Sequence, residues 1–145
     1  MVPDCRFCAI ARGEADARVV LEDDQVLAFL DHRPLFPGHS LVIPREHHET
    51  LPDLPPELLE PLFGAARLLA RAVVEATESE GSFVAVNNVV SQSVPHLHVH
   101  VVPRRRKDGL RGFFWPRTPY RDDEHADRVR DVLHEAVVRL RAGDA

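Results

Sequence analysis

The sequence predicts an α+β domain built on an antiparallel sheet, on three observations. Short β-branched or alternating runs bounded by turn pairs or proline occur at five places. Apolar residues recur at helical spacing in two long stretches. The segments follow the order β-β-β-α-β-β-α, which suits an antiparallel sheet with helices on one side better than a parallel, strictly alternating design. At 145 residues the chain suits a single domain with one core.

The elements follow in order. A short helix is expected over Arg6–Arg12, closed by Gly13. Arg18–Glu22 and Gln25–Asp31 flank the turn pair Asp23-Asp24 and read as a hairpin. His39–Ile43 is apolar and β-branched after Pro37-Gly38, and Pro44 stops it. Leu58, Leu59, Leu62, Phe63, Ala66, Leu69, Ala70 and Val73 form the apolar stripe of a long helix. Pro55 and Pro56 suit its first turn, whereas Pro61 is expected to remove a hydrogen bond and bend it. Ser82–Asn87 and His96–Val102 complete the sheet, the latter ending at Pro103. After Asp122-Asp123, a capping pair, the residues Ala126, Val129, Val132, Leu133, Ala136, Val137 and Leu140 share one helical face. Residues 4–104 form the core of the domain, and 105–141 an extension ending in this helix.

Composition excludes several classes. Hydrophobic residues at 44% and charged residues at 28% are those of a folded chain, not a disordered one. No apolar run approaches the roughly 18 residues of a membrane span. The opening Met-Val-Pro-Asp-Cys-Arg lacks the pattern of an export signal, so a cytoplasmic location is expected and no membrane partner. A formal charge of −5 argues against a nucleic-acid partner. Against that average, Arg104, Arg105, Arg106, Lys107, Arg111 and Arg117 crowd together, either as a seat for a small anion or as a solvated charge run. Cys5 and Cys8, the only cysteines, have the Cys-x-x-Cys spacing of a metal half-site or a redox pair, or stand there by coincidence; a structural disulfide is the weakest option.

The richest segment is Pro95-His96-Leu97-His98-Val99-His100-Val101-Val102. Alternation along a strand puts the three histidines on one face and Leu97, Val99 and Val101 on the other. Neighbouring histidines stand about 6.6 Å apart, so one ion could take two of them but three would strain the strand. The spacing favours divided labour among the three rings.

This segment resembles the His-φ-His-φ-His-φ-φ signature of the histidine triad (HIT) superfamily of nucleotide hydrolases and transferases. The resemblance extends over roughly Asp4–Arg104, through Cys5–Glu14, Val20–Asp31, Pro37–His47 and Gln92-Ser93-Val94. It implies a HIT-like fold, a five-stranded antiparallel sheet with one long helix and a C-terminal helix, and a homodimer with a continuous sheet. It implies that His98 attacks the α-phosphorus of a nucleotide, with its other ring nitrogen held by a backbone carbonyl, and that His100 and His39 line the phosphate site. The resemblance places Gln92, Ser93 and Asn87 (with Asn88 as a near competitor) at phosphate oxygens, Asp31 at the ribose hydroxyls, and Phe7, Ile10 and Phe29 around the base. The zinc-containing bacterial branch implies a structural zinc on Cys5, Cys8, His47 and His96, with His48 the adjacent alternative; two thiolates and two imidazoles make a closed tetrahedral set.

Two features refine this reading. The loop Val89-Val90-Ser91 is about two residues shorter than the family's Gly-rich version, with Ser91 in place of a usual glycine. His100 stands where nucleotide-transferring branches usually carry Gln, which favours hydrolysis. The expected activity is cleavage of phosphoanhydride or phosphoramidate bonds in purine nucleotides. A nucleotide-binding regulatory protein and a catalytic zinc hydrolase using His96 and His98 are the competing readings. The aromatic stretch Leu110–Pro116 is expected to fold over the active site or reach a partner protomer.

Overall fold

The computed structural model describes residues 4–110 and 116–143. The chain divides into two compact units, Met1–Asp108 and Gly109–Ala145. In the first, the order is α1 (Arg6–Ala11), β1 (Val19–Glu22), β2 (Val26–Leu30), β3 (Ser40–Pro44), α2 (Leu59–Thr77), β4 (Gly81–Ala85) and β5 (Val99–Arg104), with single 3-10 turns at Leu51–Asp53 and Pro56–Leu58. The second unit contains α3 (Asp123–Gly143), whose Val132, Leu133 and Leu140 are solvent-exposed.

The five strands form one antiparallel sheet in the order β1-β2-β3-β5-β4. The β1–β2 hairpin closes through the Asp23 carboxylate, whose Oδ1 accepts from the backbone N–H groups of Gln25 (2.8 Å) and Val26 (2.9 Å). Alternation splits the central strands between two cores. Val26, Ala28, Val42, Leu97, Val99 and Val101 pack under α2, and Leu27, Phe29, Leu41 and Ile43 pack with α1 on the opposite face.

Helices therefore cover both faces of the sheet, not one as expected. The reason lies in β2 and β3, which are apolar at successive positions and leave no polar face for water. The apolar stripe of α2 is also narrower than its periodicity suggests, since Leu62, Ala66, Leu69 and Val73 are buried while Leu59 and Phe63 are exposed. Pro61 removes no helical hydrogen bond. It is the third residue of α2, where backbone N–H groups have no helical acceptor in any case.

The last strand differs at both ends from its expected span. Its ladder begins at Val99 because β3 reaches only from Val99 to Val101, and the backbone N–H of Leu97 turns instead to the carbonyl of His48 at 2.7 Å. Pro103 does not stop it. At that point β5 is paired only with β4, so a missing donor on the other side breaks no ladder bond.

Gly38 fixes the approach to β3. Its φ of +100° lies in the glycine region, and a Cβ there would stand 2.8 Å from the Cγ2 atom of Thr77 at the end of α2. The next residue is His39.

Candidate active site and metal centre

Because β5 enters the sheet at Val99, His96 and His98 sit on the extended lead-in and His100 on the strand itself, all on the face covered by α1. That cover makes the histidine face an interior one: His96 is fully buried and His98 is 2% exposed. Phe7 of α1 stands edge-on to both rings, 5.9 Å from His96 and 5.2 Å from His98 between centroids. His98 and His100 meet edge-on at 5.0 Å, and His39, just before β3, lies tilted against His100 at 5.2 Å.

The hydrogen bonds around His98 fix its chemistry. Its Nδ1 lies 2.8 Å from the backbone carbonyl of His96. A carbonyl only accepts, so Nδ1 carries the proton and Nε2 keeps its lone pair. Burial pushes the His98 pKa below its ordinary value, against the opposing pull of that hydrogen bond and of Asp31. The ring is neutral at pH 7 and offers one unprotonated nitrogen.

Beside the triad a cavity of about 110 Å³ opens between α1, the end of β2 and the segment before β5. Its lining brings together five residues expected at the substrate: Phe7, Ile10, Phe29, Asp31 and Ser93. Asp31 accepts through Oδ1 from the backbone N–H of Arg33 at 2.9 Å, and its Oδ2 lies 3.6 Å from His39 Nε2. Arg6, Asp16 and Arg18 also line this cavity. Sequence reasoning missed them, because isolated charged residues in a helix and a linker carry no pattern distinguishing them from ordinary surface.

The loop between β4 and β5 behaves differently. Gln92 has both ends of its amide engaged, Oε1 accepting from Val89 N–H at 2.9 Å and Nε2 donating to the carbonyl of Glu49 at 2.6 Å. These two bonds tie the loop to itself and to the segment before the first 3-10 turn. Asn88 accepts from Leu51 N–H at 2.8 Å, which ties the loop to the 3-10 turn before α2 and leaves Asn87 as the freer of the two asparagines. Val89 (φ +68°) and Ser91 (φ +62°) both adopt left-handed backbone, the conformation that a glycine-rich loop takes without strain.

A second constellation stands at the start of α1. Cys5 caps the helix, its Sγ 3.4 Å from Cys8 N, and places Cys8 one turn along. His96 Nδ1 lies 3.4 Å from Cys5 Sγ and 3.6 Å from Cys8 Sγ, and His47 Nδ1 lies 3.3 Å from Cys8 Sγ. Tetrahedral zinc with bonds of about 2.3 Å to sulfur and about 2.05 Å to nitrogen requires S–N separations of about 3.5 Å, and all four donor atoms lie within 4.8 Å of one another. His96 Nε2 donates to the carbonyl of Pro44 at 2.8 Å, which leaves Nδ1 as the lone-pair atom facing the sulfurs. The donor set and its tautomer fit zinc. His48, by contrast, has a buried Nε2 with no hydrogen-bond partner, 3.7 Å from a Glu46 carboxylate oxygen, and stands outside the cluster.

Three described residues of the basic run are already engaged with the protein itself. Arg104 is bound to Asp108 at 2.6 Å, Arg105 donates to the carbonyl of Thr77, and Arg106 pairs with Glu80 at 2.9 Å. The run also begins at the far end of β5, six residues or about 20 Å of strand from His98. Arg111 and the aromatic Phe113, Phe114 and Trp115 lie outside the described residues.

An open five-stranded sheet with a histidine row on one face, a small cavity sharing Phe7 with that row and a Cys2His2 cluster on His96 defines a histidine-triad type of α+β domain. A family model described as "HIT domain" matches residues 12–107, and the chain belongs to that family. It is 40% identical over 109 residues to the adenylylsulfatase HINT3 of Arabidopsis thaliana, covering 74% of this chain but only 55% of that protein. It is 32% identical to the adenosine 5'-monophosphoramidase HNT1 of Saccharomyces cerevisiae, covering 97% of this chain and 85% of that one. The crystal structure of a zinc-bound histidine triad family protein from Mycobacterium smegmatis superposes with a TM-score of 0.71 at 36% identity, covering 97% of each chain. No helix among the described residues is long and apolar enough to cross a membrane.

Proposed function

We propose that this protein is a nucleotide hydrolase that cleaves phosphoanhydride or phosphoramidate bonds of purine nucleotides through a nucleotidyl intermediate on His98. The observation that carries the reading is the His98 ring itself: neutral, with Nδ1–H tied to a carbonyl and Nε2 free, beside a cavity walled by Phe7, Ile10 and Phe29. Nε2 forms a bond to the α-phosphorus while the bond from phosphorus to the leaving group breaks, and water then cleaves the phosphorus–nitrogen bond to release a nucleoside monophosphate. Splitting one displacement into two is the gain from a covalent nucleophile. Asp31 accepts from the ribose hydroxyls, Asn87 and Ser93 hold phosphate oxygens, and His100, backed by His39, steadies the phosphoryl group. The relatives HINT3 and HNT1, named for cleavage at adenylyl groups, support this class of substrate.

Zinc on Cys5, Cys8, His47 and His96 would pin α1 and the lead-in to β5 together. Four protein ligands leave no open position, so its contribution is structural. A homodimer belongs to the same reading. It is supported by β4, an edge strand with Val84 exposed, and by exposed Phe63 on α2. A cytoplasmic location fits Cys5 and Cys8 placed together as metal ligands and not joined in a disulfide.

The test is incubation with adenosine phosphoramidate, a diadenosine polyphosphate and adenylyl sulfate in parallel. Release of AMP from at least one, abolished in His98→Ala, is expected. Tight AMP binding with no AMP release from any of the three would favour a regulatory nucleotide-binding protein, a reading for which the occupied Gln92 amide is the supporting observation.

A further inference from the structure

We propose that His39 is a positioning residue which, set by the backbone N–H of Leu35, holds His100 as a hydrogen-bond donor through Nε2. The chain of bonds has only one consistent direction. Leu35 N–H lies 3.1 Å from His39 Nδ1, and an amide can only donate, so Nδ1 of His39 is the unprotonated nitrogen. A neutral His39 then carries its proton on Nε2. That atom stands 2.9 Å from His100 Nδ1, which must accept, and a neutral His100 is left with its proton on Nε2. One backbone amide in the loop before β3 thus fixes two side-chain tautomers. Asp31 Oδ2, at 3.6 Å from His39 Nε2, favours the protonated edge of that ring but is too distant to take the bond from His100.

Both rings are held in their neutral form by burial and by the crowding of three imidazoles. His100 accordingly acts as a neutral donor to a phosphoryl oxygen, whose growing charge the N–H stabilises, and not as an imidazolium acid. This deepens the proposed function and rests on it for the identity of the oxygen, but not for the tautomers.

The same three side chains could be read as a metal cage, since donor atoms of Asp31, His39 and His100 lie within 4.8 Å of one another. The outer contacts decide against it. An ion on His39 Nε2 would force that ring's proton onto Nδ1, facing the Leu35 N–H donor to donor. At His96 the outer contact is a carbonyl acceptor, which leaves the inner nitrogen free for a metal. One cluster is prepared for a cation and the other for a directed hydrogen-bond chain.

Long-range 1H–15N correlation spectra of the histidine rings, recorded on the zinc-loaded, uniformly 15N-labelled protein, test this directly. Both His39 and His100 are expected with the proton on Nε2. His39→Gln can accept from Leu35 and donate to His100, so His100 should keep its proton on Nε2. His39→Glu can only accept, so the His100 proton should move to Nδ1, and kcat should fall about 10²-fold further than in His39→Gln. Leu35→Pro deletes the amide donor and should leave His39 in mixed tautomers; the two His39 variants carry the test if that chain does not fold. A wild-type His39 protonated on Nδ1, a His100 proton that stays on Nε2 in His39→Glu, or a second equivalent of zinc lost in His39→Gln would each overturn the proposal. Correct tautomers in a protein that releases no AMP would overturn the proposed function and leave this inference standing.

Discussion

The reactivity proposed for His98 comes from what surrounds the ring more than from the ring itself. Burial lowers its pKa, and the His96 carbonyl holds the proton on Nδ1, away from Nε2. Turnover that depends on the neutral ring should therefore stay level as pH falls from 8 to 6.5, and decline only as pH drops through the lowered value. A pH–rate profile breaking near the ordinary histidine value of about 6.5 would contradict this. The same burial has a signature in stability. The pKa of His100 is pushed down to about 4 by burial and by His98 and His39, so between that value and about 6.5 the unfolded chain binds the extra proton and the folded chain does not. Stability should be greatest above pH 6.5, decrease as pH falls toward 4, and level off below; urea denaturation across that range measures it. At this scale much was legible in advance. Strict alternation in His96–Val102 is enough to place three rings on one face, and the Nδ1 of His98 does meet a backbone carbonyl. The engagement of Gln92 by Val89 and Glu49 was not legible, because it depends on a loop closing onto a segment more than forty residues away.

Among the elements, the sequence signals failed where a neighbour decides the outcome. The start of β5 is set by how far β3 extends, and Pro103 is tolerated because β5 has one partner there. Neither fact is written in the strand's own residues. The apolar runs of β2 and β3 were visible, but not the crossing of α1 over the histidine face, which turns that face into a site with a wall. Gly38 links this scale to the chemistry. Gly38→Ala should destabilise the protein by at least about 1 kcal/mol, from a strained φ and the encounter with Thr77, and should lower turnover by displacing His39. Thermal melting and a kinetic assay on the same preparation check both parts. Ser91→Gly should act in the opposite direction on stability, relieving left-handed backbone worth about 1 kcal/mol. An unchanged or lower Tm would show that this loop is not strained as drawn.

For the molecule as a whole, two functional centres share one short segment. His96 faces the cysteines while its carbonyl holds His98, so the proposed metal site and the proposed nucleophile are joined through a single residue. Chelation should first lower Tm, with turnover persisting at temperatures where the metal-free chain stays folded. Metal content, melting temperature and rate followed together separate this from a catalytic ion, for which rate would vanish before any change in Tm. Cys-x-x-Cys at a helix start was visible in sequence. Its partners His47 and His96 are far apart along the chain, and only the family resemblance brought them into view. The most direct test of the central claim is mass spectrometry of protein quenched during turnover of an adenosine phosphoramidate. The account predicts an added mass equal to an adenylyl group on the peptide containing His98, absent from His98→Ala. Turnover at a normal rate with no adduct on that peptide, or with the adduct on another residue, would contradict it.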